Sequence, residues 1–393
     1  MRCQSCHSTD FASVVSLGYL PPVNAFHRIG QPRKTLDFLP TDVFECRKCG
    51  LVQLAYIPSM EDVFPHDYPY RTGVTASLVK HFDDFARYYV SERHLKPTDL
   101  VVDIGGNDGT LCQSFRKINP AWRVVNVEPC REPAKDSENK GISTFVDVWD
   151  PLTAKRIRSK DDGRGAKLIT ACNVFAHTPD PNLFMEAVSE LLDDDGEFVA
   201  EFQYWPKTVE VGAWDTIYHE HVRYWTLDAV NNLFHRHGFY MDDWRSIDTH
   251  AGSMRVIAYK AEQTHETGLD GEWKGTPPYF AARVSSSRKS IHDMVMKSVG
   301  RVVAIGAPSR GTTLIHAAGL ASNGRISAVL ENPASPKVGC WLPGTEIPVI
   351  AETEQELASA DVALLLSWHL DGLEEKLRAK GFKGIFLRPM EKT

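Results

Sequence analysis

The feature that most constrains the fold is an apolar run that ends in a glycine-rich turn, from Leu100 to Thr110. Leu100–Ile104 is rich in β-branched residues, which is typical of a buried strand in a parallel sheet. Glycines at 105, 106 and 109 allow a tight turn and a close approach of a ligand to the backbone. A helix is predicted to follow over about Thr110–Ile118. Because ligands of open α/β sheets bind beyond the carboxyl ends of the strands, this turn predicts a binding site.

The turn is not the dinucleotide fingerprint, because its order is D-x-G-G-N-D-G rather than G-x-G-x-x-G. It is similar to the first motif of class I methyltransferases, which bind S-adenosylmethionine. Those enzymes place a second acid on the ribose hydroxyls, and Glu128 ends the next predicted strand at close to the roughly 20-residue spacing expected for it. The resemblance implies that the cofactor site includes Asp103, Gly105, Gly106, Asn107, Gly109 and Glu128. An ordinary turn with a surface glutamate is the alternative.

Length and composition narrow the class of protein. The 393 residues allow two or three domains of roughly 150 residues each. The hydrophobic content of 42% and the charged content of 24% are typical of a soluble globular protein. No apolar run approaches the roughly 20 residues that span a bilayer, and no secretory segment follows Met1, so we expect a cytoplasmic protein without a membrane partner. The net charge of −7 and the lack of a basic tract argue against a nucleic-acid partner. We expect a monomer or a weak homo-oligomer.

The eight cysteines fall into two groups, one paired and one scattered. Two CxxC pairs, Cys3 with Cys6 and Cys46 with Cys49, can place four thiolates around one tetrahedral zinc ion. The 39 residues between the pairs exceed the usual zinc-ribbon interval. A redox pair is the alternative, although it would need only one CxxC. We interpret the site as structural, because four cysteines leave no open position on the metal for a substrate.

Patterns of strand and helix alternate over 100–262, as in a doubly wound α/β sheet. A polar segment with glycines and prolines at 263–280 is interpreted as a linker. A second strand and glycine turn at 301–311 then begins a further small α/β unit. The predicted fold class is therefore α/β in three domains. They are a zinc-binding module at 1–65, a class I (Rossmann-like) methyltransferase domain at 66–265, and a smaller Rossmann-like α/β domain at 280–393.

A second group of polar residues follows the central predicted strands. Tyr218, Glu220 and His221 stand within four residues of one another, and the order is not H-E-x-x-H, which excludes the zinc-protease motif. His177 follows another predicted strand, Lys167–Phe175, whose end in methyltransferases faces the cofactor and here includes Asn173. A titratable cluster in this place favours a catalytic site. A polar surface turn is the alternative.

Four features in order along the chain resemble the zinc-containing sugar C-methyltransferases. They are the two CxxC pairs, D-I-G-G-N-D-G, D-T-I-Y-H-E-H, and G-A-P-S-R-G followed by N-P-x-x-x-K. The resemblance covers essentially the whole chain. Those enzymes use S-adenosylmethionine to methylate C3 of a dTDP-linked 4-keto-deoxysugar on routes to branched sugars. The resemblance therefore implies a C-methyltransferase with a nucleotide-linked sugar substrate, S-adenosylmethionine as cofactor and one structural zinc ion.

The resemblance also implies roles for single residues. Tyr218, Glu220 and His221 match the family's catalytic cluster, His177 matches a second active-site histidine, and Tyr70 matches a tyrosine of the family's Y-P-Y stretch. The candidates for substrate binding are Tyr70, Asn173, Tyr218 and Arg310. An arginine beside a helix N-terminus suits the diphosphate of a nucleotide-sugar, and a turn that only packs the domain is the alternative. The chain departs from the family at Arg71-Thr72-Gly73, where serines are usual, and at Gln203-Tyr204-Trp205-Pro206.

The chemistry is coherent without the family. A carbon next to a ketone becomes nucleophilic only when a base removes its proton, and imidazole suits that role near neutral pH. The enolate oxygen then needs a hydrogen-bond donor, which a tyrosine hydroxyl can supply. We predict that His221 is the base and Tyr218 the donor, with His177 and Tyr70 as rival bases. Two alternatives remain: O- or N-methylation of another natural-product intermediate, and a zinc-stabilised nucleotide-binding module without catalysis.

Overall fold

The chain folds around three β-sheets, seen in a computed structural model that describes residues 1–32, 35–59, 63–64, 68–249, 252–261, 273–367 and 372–389. The strands are β1 (Phe11–Leu20), β2 (His27–Arg28), β3 (Leu39–Cys46), β4 (Val52–Leu54), β5 (Leu100–Ile104), β6 (Arg123–Val127), β7 (Ser143–Phe145), β8 (Ala166–Cys172), β9 (Leu192–Gln203), β10 (Arg223–Tyr224), β11 (Phe239–Ile247), β12 (Ser253–Lys260), β13 (Val302–Ile305), β14 (Ile326–Glu331), β15 (Cys340–Trp341), β16 (Pro348–Ala351), β17 (Val362–Leu365) and β18 (Ile385–Leu387).

Helices cover or connect these sheets. They are α1 (Ala76–Ser91), α2 (Thr110–Ile118), α3 (Arg131–Asn139), α4 (Pro151–Lys160), α5 (Pro181–Leu191), α6 (Trp205–Val211), α7 (Leu227–Arg236), α8 (Tyr279–Met296), α9 (Ser309–Ala317), α10 (Glu354–Ala358) and α11 (Leu373–Ala379). Short 3-10 turns lie at Thr72–Val74 and Trp214–Thr216.

The smallest sheet carries the cysteine pairs and has the antiparallel order β1-β3-β4-β10. Cys46 ends β3, and a tight turn brings Cys49 close to it before β4 begins at Val52. Strand β10 comes from the middle of the chain and begins just after His221. The sheet therefore joins the cysteine-rich segment to the predicted catalytic segment.

The middle sheet has the order β11-β12-β9-β8-β5-β6-β7. Strands β5 to β9 pair in parallel, whereas β12 is antiparallel to both β9 and β11. Neighbouring residues of β5 face opposite apolar layers: Val101 clusters with residues of α1 and α2, and Val102 with residues of α4 and α5. Helices on both faces give the predicted class I (Rossmann-like) arrangement, with the carboxyl ends of β5, β6 and β8 along one edge.

The third sheet has the order β18-β17-β13-β14-β16-β15-β2. Its first five strands pair in parallel, and β15 and β2 are antiparallel additions. Val302 and Val303 of β13 belong to separate apolar clusters, so this sheet is also buried on both faces, as a Rossmann-like unit requires. The pairing of His27 with Trp341 adds an N-terminal strand to the C-terminal sheet.

Most of the predicted elements are confirmed. Leu100–Ile104 and Thr110–Ile118 form the strand and the helix that their sequence predicts. In the middle sheet, strands β7 and β11 were not predicted, because β7 has only three residues and the charged residues Asp242, Asp243 and Arg245 interrupt the apolar pattern of β11. In the other two sheets, β1 to β4, β10, β15 and β16 were not predicted either. The predicted linker at 263–280 lies outside the described residues as far as 272, and residues 273–277 form neither helix nor strand.

Two strands cross the predicted domain boundaries. Strand β10 lies in the sheet of the zinc-binding module, and β2 lies in the C-terminal sheet. The boundaries themselves, at 65, 265 and 280, stay predictions. Of the described helices, none has both the length and the apolar character needed to cross a membrane.

Candidate active site and metal centre

Four cysteine sulfurs meet between two tight turns. The Sγ atoms of Cys3, Cys6, Cys46 and Cys49 all lie within 4.8 Å of one another, and the Cys3–Cys49 and Cys6–Cys46 separations are both 3.6 Å. A tetrahedral zinc site with bonds of about 2.3 Å has sulfur–sulfur edges of about 3.8 Å, close to these values. Cys3, Cys46 and Cys49 are buried. The donor set and its geometry therefore fit a structural zinc ion held by four thiolates.

Hydrogen bonds join the cysteine turns to residues that follow the predicted catalytic side chains His177 and His221. The side-chain amide of Asn182 donates to the carbonyl of Gln4 at 3.1 Å, beside the first cysteine pair. After the second pair, the N–H of Leu54 donates to the carbonyl of Val222 at 3.1 Å. Because Val222 directly follows His221, the metal module supports the backbone at the predicted base.

The turn after β5 has no space for side chains at its glycines. A Cβ at Gly105 would lie 2.2 Å from Cγ2 of Val174, and one at Gly106 would lie 2.4 Å from a carboxylate oxygen of Asp103. Gly105 also has a φ of +62°, which favours glycine over any L-residue. A cofactor bound at this edge would therefore meet bare backbone at the turn.

Two carboxyl groups flank this turn. Glu128 accepts hydrogen bonds from the backbone N–H of Asn107 at 3.0 Å and from that of Cys130 at 2.8 Å. Burial raises the pKa of Glu128. Asp103 accepts from the Thr170 hydroxyl at 2.7 Å, and burial raises the pKa of Asp103 to about 7. Since each carboxylate oxygen has two lone pairs, Glu128 can still accept from a ribose hydroxyl, as the sequence predicts.

His221 and Tyr218 form a hydrogen-bonded pair. Nδ1 of His221 lies 2.9 Å from the carbonyl oxygen of Thr216, so we assign the ring proton to Nδ1. Nε2 then bears the lone pair and accepts from the Tyr218 hydroxyl at 3.1 Å. Burial raises the pKa of Tyr218, which keeps this side chain a phenol at neutral pH. The pair thus presents a basic nitrogen beside a hydrogen-bond donor.

A second imidazole lies beside this pair. The ring centroids of His177 and His221 are 4.9 Å apart. Nδ1 of His177 donates to the backbone carbonyl of Glu220 at 2.6 Å. Burial lowers the pKa of His177, so its ring is neutral at pH 7 and can accept a proton. The structure therefore brings both predicted histidines to one place.

The Glu220 carboxyl group joins three distant segments of the chain. The Tyr68 hydroxyl donates to Oε2 at 2.8 Å, and the Asn24 amide donates to Oε1 at 2.7 Å. The same amide lies 2.9 Å from the hydroxyl oxygen of Ser309, on the C-terminal glycine turn. Burial raises the pKa of Glu220 to about 7. Glu220 is therefore held by two side chains from distant parts of the chain, one of which also contacts the C-terminal glycine turn.

Arg310 forms an ion pair with the predicted catalytic segment. Its guanidinium lies 2.5 Å from a carboxylate oxygen of Asp215, which is fully buried, while the Arg310 side chain is 16% exposed. Burial raises the pKa of Asp215 to about 6 and lowers the pKa of Arg310 to about 10. Lys337 adds a second cation at this turn, since its ammonium donates to the carbonyl of Ala307 at 2.7 Å. A diphosphate here would share Arg310 with Asp215.

Tyr70 and Asn173 lie at the edge of the middle sheet. The Asn107 side-chain amide donates to the backbone carbonyl of Tyr70 at 3.3 Å, which places this residue on the cofactor turn. It is Tyr68 that donates to Glu220. Asn173 directly follows β8, has a φ of +58°, and its N–H donates to the carbonyl of Glu201 at 2.7 Å.

Sequence reasoning missed Tyr68, Asn24 and Asp215. Two of them belong to motifs that resemble those of the family, since Tyr68 is the first tyrosine of Y-P-Y and Asp215 begins D-T-I-Y-H-E-H. Asn24 carries no comparable signal. A cavity of about 410 Å³ lies elsewhere, beside Phe38 and Trp341, and no predicted site residue lines it.

Three family models match successive parts of the chain. The model described as "Putative zinc binding domain" matches residues 3–64, "Methyltransferase domain" matches 82–243, and "C-methyltransferase C-terminal domain" matches 248–386. The chain is also similar to the C-methyltransferase NovU of Streptomyces niveus. The two are 30% identical over 383 residues, which cover 94% of this chain and 90% of NovU.

Solved structures resemble part of the chain. The magnesium protoporphyrin IX methyltransferase of Synechocystis PCC 6803, with bound SAH, is 14% identical with a TM-score of 0.36, and the match covers 47% of this chain and 83% of that one. An S-adenosylmethionine-dependent methyltransferase from Clostridium acetobutylicum is 13% identical with a TM-score of 0.35. That match covers 47% of this chain and 92% of the other.

Proposed function

We propose that this chain, which belongs to the family of zinc-binding C-methyltransferases, transfers a methyl group to C3 of a dTDP-linked 4-keto-deoxysugar. Membership of the family makes it an S-adenosylmethionine-dependent C-methyltransferase with a structural zinc site. The sugar, the nucleotide and the methylated carbon are the proposal. The observation that supports it is that Nε2 of His221, a base, faces the hydroxyl of Tyr218, a hydrogen-bond donor.

Methylation at carbon needs that pairing. A C–H bond beside a ketone is a weak acid, and its proton leaves only when a base accepts it while the developing enolate oxygen is stabilised. Nε2 of His221 would take the C3 proton. The Tyr218 hydroxyl, released from Nε2 by the incoming proton, would donate to the oxygen at C4. Methylation of a hydroxyl or an amine needs no carbanion and gives no reason for a phenol at this position.

The cofactor fits the edge of the middle sheet. S-adenosylmethionine supplies an electrophilic methyl group on a sulfonium. The bare backbone at Gly105 and Gly106 and the carboxylate of Glu128 would hold its adenosyl part. His177 and His221 approach the same edge through the residues that follow β8 and through the segment before β10. Such an arrangement favours transfer because the reacting groups are held in one orientation.

The C-terminal turn suits the nucleotide part of the substrate. Arg310 and Lys337 place two cations beside the N-terminus of α9, where free N–H groups also favour an anion. Asn24 links Ser309 of this turn to Glu220, so a nucleotide bound there would lie near the catalytic group. Glu220 would then orient the sugar through a hydroxyl group.

Substrate profiling with methyl-labelled S-adenosylmethionine tests the proposal. A panel of dTDP-4-keto-deoxysugars would be compared with the matching dTDP-4-hydroxy sugars, which lack the acidifying ketone. We expect label only with the keto sugars, and NMR of the product should show the methyl group on carbon. Labelling of the hydroxy sugars, or a methyl group on oxygen or nitrogen, would contradict the proposed reaction.

A further inference from the structure

We propose that Arg71 is a positioning residue that holds the Tyr68 hydroxyl on Glu220. The residues concerned, 68–75, are called here the tyrosine segment. The proposal deepens the proposed function, because Glu220 acts on the sugar only if that function is right.

The Arg71 guanidinium makes three contacts at once. It donates to a carboxylate oxygen of Asp136 on α3 at 2.5 Å, and the Arg71 side chain is only 22% exposed. It also donates to the backbone carbonyls of Tyr68 at 2.5 Å and Tyr70 at 3.0 Å. The guanidinium makes these contacts from two nitrogens held apart in one plane, a fork geometry that a lysine ammonium, with its donors on one atom, does not reproduce. Arg71 therefore fixes the backbone on either side of Pro69 and pins it to α3.

The same segment lies against the cofactor turn. The N–H of Thr72 donates to Oδ1 of Asn107 at 3.0 Å, and the N–H of Gly73 donates to Oδ2 of Asp108 at 3.2 Å. A Cβ at Gly73 would lie 2.6 Å from that Asp108 oxygen, so a side chain at this position would have to displace the carboxylate. Asn107 in turn donates its N–H to Glu128, the predicted ribose acid.

Tyr68 is the end of the segment that reaches the catalytic group. Its hydroxyl donates to Glu220 at 2.8 Å, and its ring packs against Phe64 with centroids 5.3 Å apart. The backbone carbonyl of Tyr68 is the group that Arg71 holds. Arg71 thus sets the position of the Tyr68 phenol. Thr72 and Gly73, further along the tyrosine segment, contact the cofactor turn.

Kinetics of a double-mutant cycle test this role. Arg71→Gln removes the fork and Tyr68→Phe removes the hydroxyl. Each single variant should lower kcat by on the order of 10- to 100-fold, the cost of a misplaced group in an active site. KM for S-adenosylmethionine should change far less. Because Arg71 acts through Tyr68, Tyr68→Phe should cost little more in the Arg71→Gln background. Fully additive losses would overturn the proposal.

Matched variants separate positioning from general damage. Arg71→Lys keeps the charge without the fork and should not restore kcat, whereas Asp136→Asn, which leaves the carbonyl contacts, should lose less than Arg71→Gln. Arg87→Gln is the control, since Arg87 pairs only with the exposed Asp84 among the contacts described on α1. A wild-type kcat in Arg71→Lys, or a loss of kcat in Arg87→Gln as large as that in Arg71→Gln, would contradict a positioning role for the Arg71 guanidinium.

A measurement without substrate keeps this inference separate from the proposed reaction. NMR of protein labelled with [13Cζ]tyrosine, assigned by Tyr68→Phe, reports the hydrogen bond of the phenol. In Arg71→Gln the Tyr68 signal should move away from its wild-type position, and in Arg87→Gln it should stay. A signal unchanged by Arg71→Gln would overturn the positioning role. Wild-type protein that methylates no keto sugar would instead refute the proposed function and leave this result standing.

Discussion

The phenolic oxygen of Tyr218 lies 3.1 Å from Nε2 of His221, and the opposite ring nitrogen of His221 donates to the Thr216 carbonyl. These two contacts fix one tautomer, with the lone pair on the nitrogen that faces the tyrosine. A base and an acid are thereby placed within one hydrogen bond of each other on a short segment between two sheets.

Removal of the metal should destabilise the chain. Four thiolates bind zinc with a free energy that exists only in the folded state, so its loss lowers the free energy of unfolding. Elemental analysis should find about one zinc per chain, as one tetrahedral site requires. Cys46→Ser should lose the metal, whereas Cys340→Ala, outside the cluster, should retain it. Metal-free protein with wild-type stability would show that no structural zinc is present.

Glu128→Gln should weaken S-adenosylmethionine binding. Glutamine keeps one of the two oxygens that accept from the N–H groups of Asn107 and Cys130. It removes the negative charge that would bind the ribose hydroxyls. Hydrogen bonds to charged groups contribute about 1.5–3 kcal/mol, which sets the expected loss of affinity. Isothermal calorimetry measures it, with Glu132→Gln as the exposed control on α3. An unchanged affinity in Glu128→Gln would refute the ribose assignment.

Local patterns predicted the longer buried strands of the two Rossmann-like sheets, such as β5, β8 and β13, because those patterns report burial along the chain. An apolar run followed by glycines has few ways to fold. Here the run forms β5, and α2 begins directly after the glycine turn. The four cysteines could be grouped for a similar reason, since each CxxC makes its own turn and the metal joins the two turns.

Contacts between residues far apart in the chain produce no local sequence pattern from which they could be predicted. The partners of Glu220 are Tyr68 and Asn24, which are 152 and 196 residues away, and only tertiary packing brings them together. The same holds for the pairing of His27 with Trp341, which crosses the predicted domain boundaries. Arg310 was predicted to bind phosphate from its place beside a helix N-terminus, and its buried partner Asp215 could not be read from either motif.

Arg310→Ala should destabilise the fold as well as the nucleotide site. Asp215 would remain as a buried carboxylate without its guanidinium, and breaking a buried pair typically costs about 3–5 kcal/mol. Urea unfolding should show this loss, and the Arg310→Ala, Asp215→Asn double variant should recover much of it. Wild-type stability in Arg310→Ala, together with a raised KM for the nucleotide-sugar, would instead indicate that Arg310 acts only on the substrate.

Glu220 should make stability depend on pH in a defined direction. Burial raises the pKa of Glu220 from 4.5 to about 7, although the hydrogen bonds from Tyr68 and Asn24 and the charge of Lys337 lower it. The folded state therefore binds this proton more tightly, and its contribution to stability is present at low pH and lost as the pH rises toward about 7. Glutamine does not ionise, so Glu220→Gln should gain stability relative to wild type between about pH 5 and pH 7. Urea unfolding at both pH values checks this, and a constant difference would contradict the shift.

Exchange of the C3 proton tests whether His221 is the base. Enzyme saturated with S-adenosylhomocysteine, which carries no methyl group to transfer, would be mixed with a dTDP-4-keto-deoxysugar in deuterated buffer and followed by NMR. Loss of a general base typically slows such a step by about 10²–10⁴-fold. We expect rapid exchange at C3 with wild type and a loss of this size in His221→Asn, with cofactor affinity retained. Exchange at the wild-type rate in His221→Asn, while methylation falls, would contradict this role and make His177 or Tyr70 the better candidate for the base.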